Sequence, residues 1–314
     1  MTSISVIIPV YNSEKILSNL VDQLQKALVP LTRRFEVLLV NDSSSDNSWD
    51  VICELSARNE WLSGINLMRN YGQHNALLCG IRAAKNDIVV TMDDDLQHPP
   101  EEIAKLVRRL EEGYDVVYGK PKREQHGLWR DLASQITKLS LKSTMGVKTA
   151  RNVSAFRAFR LILREGFAEY KSPYVSIDVL LTWGTNRFGV VAVNHNERES
   201  GTSNYTFRKL VTHAINMMTG FSSIPLQLAS MAGFAFGIFG LCVLIYVVGM
   251  VIIYGSSVPG FPFLASMIAI FSGVQLFAIG IIGEYIARIH FRSMTRPYCV
   301  VRNKVGFISN DEKG

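Results

Sequence analysis

From Leu210 to Gly283 the chain carries no Asp, Glu, Lys or Arg. Within this uncharged stretch, Leu226–Tyr254 and Pro262–Ile286 are apolar runs longer than the ~20 residues that carry a helix across a bilayer core. One such run could be a buried core helix. Two in tandem, both Gly-rich and joined by the uncharged loop "GSSVPGF" (255–261), predict a transmembrane hairpin. Arg208 and Lys209 flank the first run, while Arg288, Arg292, Arg296, Arg302 and Lys304 follow the second. Positively charged flanks stay on the cytoplasmic side, which predicts a multi-pass inner-membrane protein with both ends in the cytoplasm. "TFRKLVTHAINMMTGFSS" (206–223) reads as an amphipathic helix lying in the interface. Gly233, Gly237 and Gly240 are small enough for close helix packing, between the spans or across a homo-oligomer face.

The remaining residues belong to a different kind of structure. "ISVIIPV" (Ile4–Val10) is a short buried-strand pattern, without the charged n-region and cleavage site of a signal peptide. The four cysteines, Cys53, Cys79, Cys242 and Cys299, lack zinc or disulfide-framework spacing and fit a reducing compartment. The net charge is +6, with basic residues dispersed and no arginine-rich tail. That balance suits a membrane surface and phosphate chemistry, and nucleic acid is not expected as a partner. The expected organisation is a cytoplasmic catalytic domain (1–205), an interfacial helix (206–223), a two-helix hairpin (224–287) and a basic tail (288–314).

Through the first domain, strand-like runs alternate with helical ones. Strands are expected at Ile4–Val10, Phe35–Asp42, Gly64–Met68, Asp87–Asp93 and Tyr114–Gly119. Helices are expected at Ser13–Leu28, Ser48–Asn59, Asn75–Ala84 and Pro100–Glu111. Continuous apolar strands between helices predict an α/β fold with a mostly parallel sheet covered on both faces. Ligands of such sheets bind beyond the carboxyl ends of the strands. Those ends are polar here: "PVYN" with Glu14 just beyond, "NDSSSD" (41–46), the turn "NYGQHN" (70–75), and "DDDLQHPPEEI" (93–103). Asp46 alone could be a helix cap. The first strand–helix turn lacks GxGxxG, which argues against an NAD-type site.

Asp93 and Asp95, one residue apart at a strand end, would point to one side. A hard divalent cation relieves their repulsion, and Mg²⁺ takes one or two carboxylates plus substrate phosphates. A helix-capping acidic turn before Pro99 and Pro100 accounts for one aspartate well and three poorly.

"SVIIPVYN", "VNDSSSDNS", "RNYGQHNALLCGI" and "DDDLQHPPEEI", in this order, resemble the family 2 glycosyltransferases of the GT-A fold. Within them, the chain is similar to the membrane-bound polyprenyl-phosphate branch, which includes dolichol-phosphate mannose synthases and undecaprenyl-phosphate sugar transferases. "NYGQH" resembles the transferases of 4-deoxy-4-formamidoarabinose. The resemblance spans essentially the whole chain. It implies Asp42 on the nucleotide base with Pro9, Tyr11 and Glu14 lining that pocket. It also implies Mg²⁺ or Mn²⁺ held by Asp93, Asp95 and Gln97, with Asp94 facing the nucleotide sugar. It tips Arg123, Arg130 and Ser134 toward the acceptor phosphate; Lys120 and Lys122 sit beside them, and Arg130 and Ser134 share a helix face at i,i+4. Arg198, Ser203 and Tyr205 match the family's R-x-x-G-x-S-x-Y signature and would close over a phosphate. Asp94, Asp95, Arg123 and Arg130 are thus the expected catalytic group, while His195 is read as structural. Two departures stand out: Asn41 where many relatives have Asp, and "TARNVSAFRAFR" (149–160), which keeps Phe-Arg but lacks the preceding Gly-Asp.

The expected reaction is inverting transfer of a sugar from a nucleotide donor, UDP favoured, to undecaprenyl or a similar polyprenyl phosphate. Two alternatives stay open. One is transfer to a hydroxyl of a lipid-linked or polysaccharide acceptor, which would need a general base. The other is a non-catalytic membrane scaffold partnering a flippase.

Overall fold

The computed structural model describes residues 2–121, 153–172, 175–196, 224–254, 260–294 and 297–307. The chain divides into two compact units, one of Met1–Phe207 with Thr295–Gly314, the other of Arg208–Met294. In the first unit, β1 (Ile4–Val10), β2 (Phe35–Asn41), β3 (Leu62–Leu67) and β4 (Ile88–Thr91) pair in parallel in the order β4-β1-β2-β3. The connecting helices are α1 (Leu17–Leu28), α2 (Ser48–Arg58) and α3 (Gln73–Ala83). Helix α4 (Ile103–Glu111) follows a 3₁₀ turn begun by Pro100. Each helix turns an apolar stripe inward: Leu17, Leu20, Val21, Leu24 and Leu28 of α1 are buried, as are Ile103, Leu106, Val107 and Leu110 of α4. Burying each such side chain contributes ~1.5–3 kcal/mol. Gly80 lets α3 lie close on the sheet, because a Cβ there would meet Ile7 Cγ2 at 2.4 Å.

The sheet extends on both sides beyond what periodicity predicts. At one side come β6 (Arg157–Arg160), antiparallel to β4, then β5 (Val116–Pro121) and β7 (Phe188–Val193), with the short helix α5 (Ile177–Thr182) between β6 and β7 in sequence. At the other, β8 (Val301–Val305) pairs antiparallel with β3, aligning Gly64 with Val305 and Asn66 with Asn303. The segment 288–314, expected as a basic tail, therefore contributes an edge strand. Strand β4 ends at Thr91, so Asp93–Asp95 occupy the turn beyond it. Strand alternation is therefore not what brings their carboxylates together.

The Phe-Arg core of the departing motif anchors this side of the sheet. Arg157 of β6 is buried and ion-paired with Asp178 of α5. Its Nε donates to Thr91 Oγ1 at 3.1 Å, and Tyr118 of β5 donates its hydroxyl to Asp178 Oδ1 at 3.0 Å. The network fixes the last residue of β4, two positions before the acidic turn.

The second unit comprises α6 (Ile224–Tyr254) and α7 (Phe261–Ser293), both long and apolar enough to cross a membrane. The qualifying spans are Leu226–Met250 and Ile270–Ala287, with mean hydropathies of 2.4 and 1.6, and of their residues only Ala229 is buried. Gly240 faces Phe271, whose Cζ would lie 3.0 Å from an added Cβ, while Gly233 and Gly237 face nothing within 4 Å. The expected interfacial helix at 206–223 lies outside the described residues, apart from any account of its structure.

Removing one partner of a buried ion pair leaves an uncompensated charge and typically costs ~3–5 kcal/mol. Asp178→Ala is expected to lower stability by about that amount in urea unfolding of the detergent-solubilised chain, whereas Arg157→Met combined with Asp178→Leu should lose far less. A loss below ~1 kcal/mol for the single variant would mean that the pair does not anchor β4.

Candidate active site

The carboxyl ends of β1, β2 and β4 open on a cleft of about 300 Å³ lined by Pro9, Tyr11, Asp42, Asp93, Asp94 and Asp95, with Asn70, Gly72 and Gln73 on one wall. Each strand end is followed by a non-glycine residue in the left-handed region: Asn12 at φ 55°, Ser43 at 57° and Leu96 at 57°. Left-handed backbone is disfavoured for side chains with a Cβ, least so for Asn. Among the described residues, non-glycine residues in this region occur only in three of the loops that border this cleft.

Asp42 is held from the opposite wall. Its Oδ1 accepts the Tyr71 amide at 2.7 Å and its Oδ2 the Gly72 amide at 2.8 Å. Gly72, at φ 91°, supplies a conformation that presents its N–H this way without steric cost. Burial pushes the Asp42 pKa up, and the two amides oppose that shift. Asn41, just before it, is buried. It donates to Asn66 Oδ1 at 2.9 Å and accepts the Ser44 hydroxyl at 2.5 Å. An amide, with one donor and one acceptor group, serves both neighbours.

The three consecutive aspartates have different surroundings. Asp93 Oδ1 accepts from Gln73 Nε2 at 2.5 Å. Asp94 Oδ2 accepts the Ser13 hydroxyl at 2.5 Å and the Tyr11 amide at 3.3 Å, tying the acidic turn to the loop after β1. Burial raises the Asp94 pKa, the Asp95 charge adds to the rise, and the hydrogen bonds from Ser13 and Tyr11 work against it. Asp95 Oδ1 accepts the Gln97 amide at 3.2 Å. Next in the chain, His98 stacks on Phe156 at 5.1 Å and meets His195 edge-on at 5.0 Å. Burial, aided by His195 and opposed by Asp95, lowers its pKa to about 4, so the ring is neutral. His98 is thus buried next to the acidic turn, with the exposed His195 against its edge.

Of the residues singled out in the sequence, Pro9, Tyr11, Asp42, Asp93, Asp94 and Asp95 line this one cleft. Glu14 and Gln97 do not line the cleft. Glu14 Oε2 accepts the Asn47 amide, and Asp46 spans the same two loops by accepting from Glu14 N and from the Ser48 amide and hydroxyl. Gln97 uses its backbone, accepting Asn196 N at 2.8 Å. Arg123, Arg130, Ser134, Arg198, Ser203 and Tyr205, with Lys122, lie outside the described residues; Lys120 ends up half-buried on β5. Gln73 and Ser13, which orient Asp93 and Asp94, carry no role in the sequence reading. Their signal was position: one opens α3 in the quoted "NYGQHN" turn, the other follows β1.

Among the described residues, no group of three or more His, Cys, Asp and Glu forms a metal cage. The donor set suits a cation that shares its shell with a substrate. Asp93 and Asp95 carry hard oxygen donors at an open cleft, the type of donor that Mg²⁺ and Mn²⁺ take as one or two carboxylates with phosphate oxygens completing the shell.

The sequence profile described as glycosyl transferase family 2 matches residues 5–171. The chain is 33% identical over 306 residues to an undecaprenyl-phosphate 4-deoxy-4-formamido-L-arabinose transferase of Photorhabdus laumondii subsp. laumondii, covering 96% of this chain and 94% of that protein. It is 33% identical over 309 residues to the transferase of the same name in Proteus mirabilis, covering 98% and 95%. In structure it is similar to glucosyl-3-phosphoglycerate synthase from Mycobacterium tuberculosis, solved with Mn²⁺ and UDP-glucose. That match has a TM-score of 0.50 and 18% identity, over 69% of this chain and 77% of the other. The likeness defines the α/β architecture as GT-A, here followed by two candidate membrane spans.

Asp94→Asn keeps an oxygen for Ser13 and Tyr11 while removing a buried charge. A carboxyl whose folded pKa is raised weakens folding once it ionises, so wild type is penalised above the folded pKa and relieved below it. The variant should therefore be the more stable protein at neutral pH without divalent cation, with the gap closing as pH falls through the raised pKa. Thermal unfolding across that pH range checks this; a gap that widens in acid would show that Asp94 is not desolvated.

Proposed function

The chain belongs to glycosyl transferase family 2, and from that membership we propose that it transfers a nucleotide-activated sugar to undecaprenyl phosphate at the cytoplasmic face of the inner membrane. The observation that carries this reading is the near-full-length identity to transferases of that acceptor, which extends across both candidate spans. The donor we favour is a UDP-sugar. Asp42 would receive the base, with the exposed Tyr11 ring and Pro9 flanking it.

Asp93 and Asp95 would hold Mg²⁺ or Mn²⁺, with Gln73 fixing the Asp93 carboxylate and Asp94 holding the turn against the loop after β1. When bound, such a cation neutralises the charge that builds on a departing nucleoside diphosphate. Gln97, expected among the ligands, would act through its amide on Asp95. Arg123, Arg130 and Ser134 would orient the acceptor phosphate, with Arg198, Ser203 and Tyr205 closing over it; guanidinium groups suit this because they bind phosphate in bidentate fashion.

A phosphate monoester has its second pKa near ~6, so its attacking oxygen is already ionised at neutral pH. No general base is then required, and the chain's contribution reduces to alignment and electrostatics. In-line attack on the anomeric carbon inverts its configuration.

The pairing of β8 with β3 supports the membrane topology. Because residues 301–305 return to the sheet that residues 4–67 began, the intervening chain must come back to the side it left. Two crossings by α6 and α7 would satisfy this, and the positive flanks favour the cytoplasm for that side.

Purified full-length protein given a panel of nucleotide sugars, undecaprenyl phosphate and Mn²⁺ or Mg²⁺ should form a chelator-sensitive sugar-phospholipid of inverted anomeric configuration. Asp95→Asn should lower kcat by about 10²–10³-fold, the usual loss when one electrostatic stabiliser of a transition state is removed. Product only on a hydroxyl acceptor, or undiminished turnover in excess chelator, would overturn the reading.

A further inference from the structure

Cys79 and Cys299 are 220 positions apart, yet they pack in one apolar cluster, Cys79 buried on α3 and Cys299 half-buried just before β8. Several contacts bring the two segments together. Arg82, one turn along α3 from Cys79, lies under the Tyr298 ring at 4.2 Å. Arg82 is itself fixed, donating from Nη2 to the carbonyls of Ala168 at 2.8 Å and Tyr170 at 2.7 Å. On the other side of Cys299, the Val300 carbonyl accepts the Met68 amide at 2.9 Å, and Arg302 reaches the Met68 carbonyl. Within that cluster the two thiols lie close enough to perturb each other's ionisation. All four cysteines are reduced, and neither of the other two shares this setting: Cys53 is half-buried on α2 and Cys242 is exposed on α6.

From this arrangement we propose that Cys79 and Cys299 form a reversible oxidation site, at which a hydroperoxide converts the thiol pair into a disulfide that staples the C-terminal strand to α3.

The two cysteines are chemically unequal, as such a site requires. The neighbouring Cys79 thiol lowers the Cys299 pKa, assisted by Tyr298 and by the Arg82 charge and opposed by burial and the Asp42 charge. The same proximity, together with burial, raises that of Cys79. Cys299 is thus the better nucleophile and the more accessible sulfur, and Cys79 is the sheltered thiol that resolves the product. The Cys299 thiolate attacks the peroxide O–O bond, forming an S–O bond and, with hydrogen peroxide as oxidant and a proton from solvent, releasing one water. The Cys79 sulfur then attacks the sulfenic sulfur, and its proton leaves with the hydroxyl as a second water. Two thiols are oxidised by two electrons and one peroxide is reduced. A dithiol reductant reverses the change by thiol–disulfide exchange.

The consequence is local. Segment 298–302 braces Met68, which opens the loop whose Tyr71 and Gly72 amides hold Asp42. Linking Cys299 to α3, at the other end of that loop, would hold residues 68–79 between the disulfide at one end and the Met68 hydrogen bonds at the other. None of this depends on the sugar, the acceptor or the transfer reaction.

The test uses the full chain in detergent, reduced, exposed to increasing hydrogen peroxide and alkylated under denaturing conditions before peptide mass spectrometry. The expected product is a Cys79–Cys299 linked peptide about 2 Da lighter than the sum of its thiol peptides, formed before any modification of Cys53 or Cys242 and erased by dithiothreitol. In Cys79→Ala the link is lost and Cys299 proceeds to sulfinic acid, because its resolving partner is gone. In Cys299→Ser, Cys79 stays reduced. Oxidised wild type should also exchange amide hydrogens at residues 68–72 about tenfold more slowly than reduced protein. Wild-type Cys299 accumulating as sulfinic acid without a link would overturn the proposal. So would a pair that remains fully alkylatable while Cys53 or Cys242 oxidises, or unchanged exchange at 68–72 in the linked protein.

Discussion

Four carboxylates crowd the ends of three neighbouring strands, and much of the local architecture follows from keeping them there. The order β4-β1-β2 places the turns after Thr91, Val10 and Asn41 side by side. Asp42 and Asp94 are desolvated and draw their support from backbone amides and a hydroxyl. Burying a carboxylate is tolerable when several donors converge on it. That requirement explains Gly72 in its left-handed conformation, Ser13 beyond β1 and the strained Leu96 after the acidic turn. The apolar core beneath, filled from both faces of a parallel sheet, offsets these local costs.

The parallel half of the fold was legible because its signals are local. Four uninterrupted apolar runs and helices with 3.6-residue stripes state both element type and order, and polar residues at strand ends state where a ligand sits. Pro9, Tyr11, Asp42 and Asp93–Asp95 were readable for that reason. Glu14 and Gln97 were not separable from them by sequence, since a side chain that faces a cleft and one that braces a neighbouring loop occupy equally polar positions. Gln73 was overlooked because a helix-opening glutamine has no distinctive local signature; only the fold brings it to Asp93.

The antiparallel additions were hidden for a different reason. Strand β6 is only four residues, Arg-Ala-Phe-Arg, and its buried Arg157 contradicts the expectation that arginine lies outside. Its justification is Asp178, twenty-one positions away, with Thr91 and Tyr118 completing the network. Strand β8 carries Arg302, Asn303 and Lys304 and reads as a solvated tail until β3 is found beside it. Long-range pairing of this sort leaves no periodic trace in either partner.

The late position of β8 bears on how the protein is made. During synthesis the outer backbone edge of β3 emerges early, while the strand that covers it is translated only after both long apolar helices. For that interval a nascent α/β core displays open hydrogen-bonding groups, the feature through which sheets capture stray chains. Sealing of the edge therefore waits on synthesis of the whole apolar hairpin, so that a chain cut short before residue 301 keeps the β3 edge open.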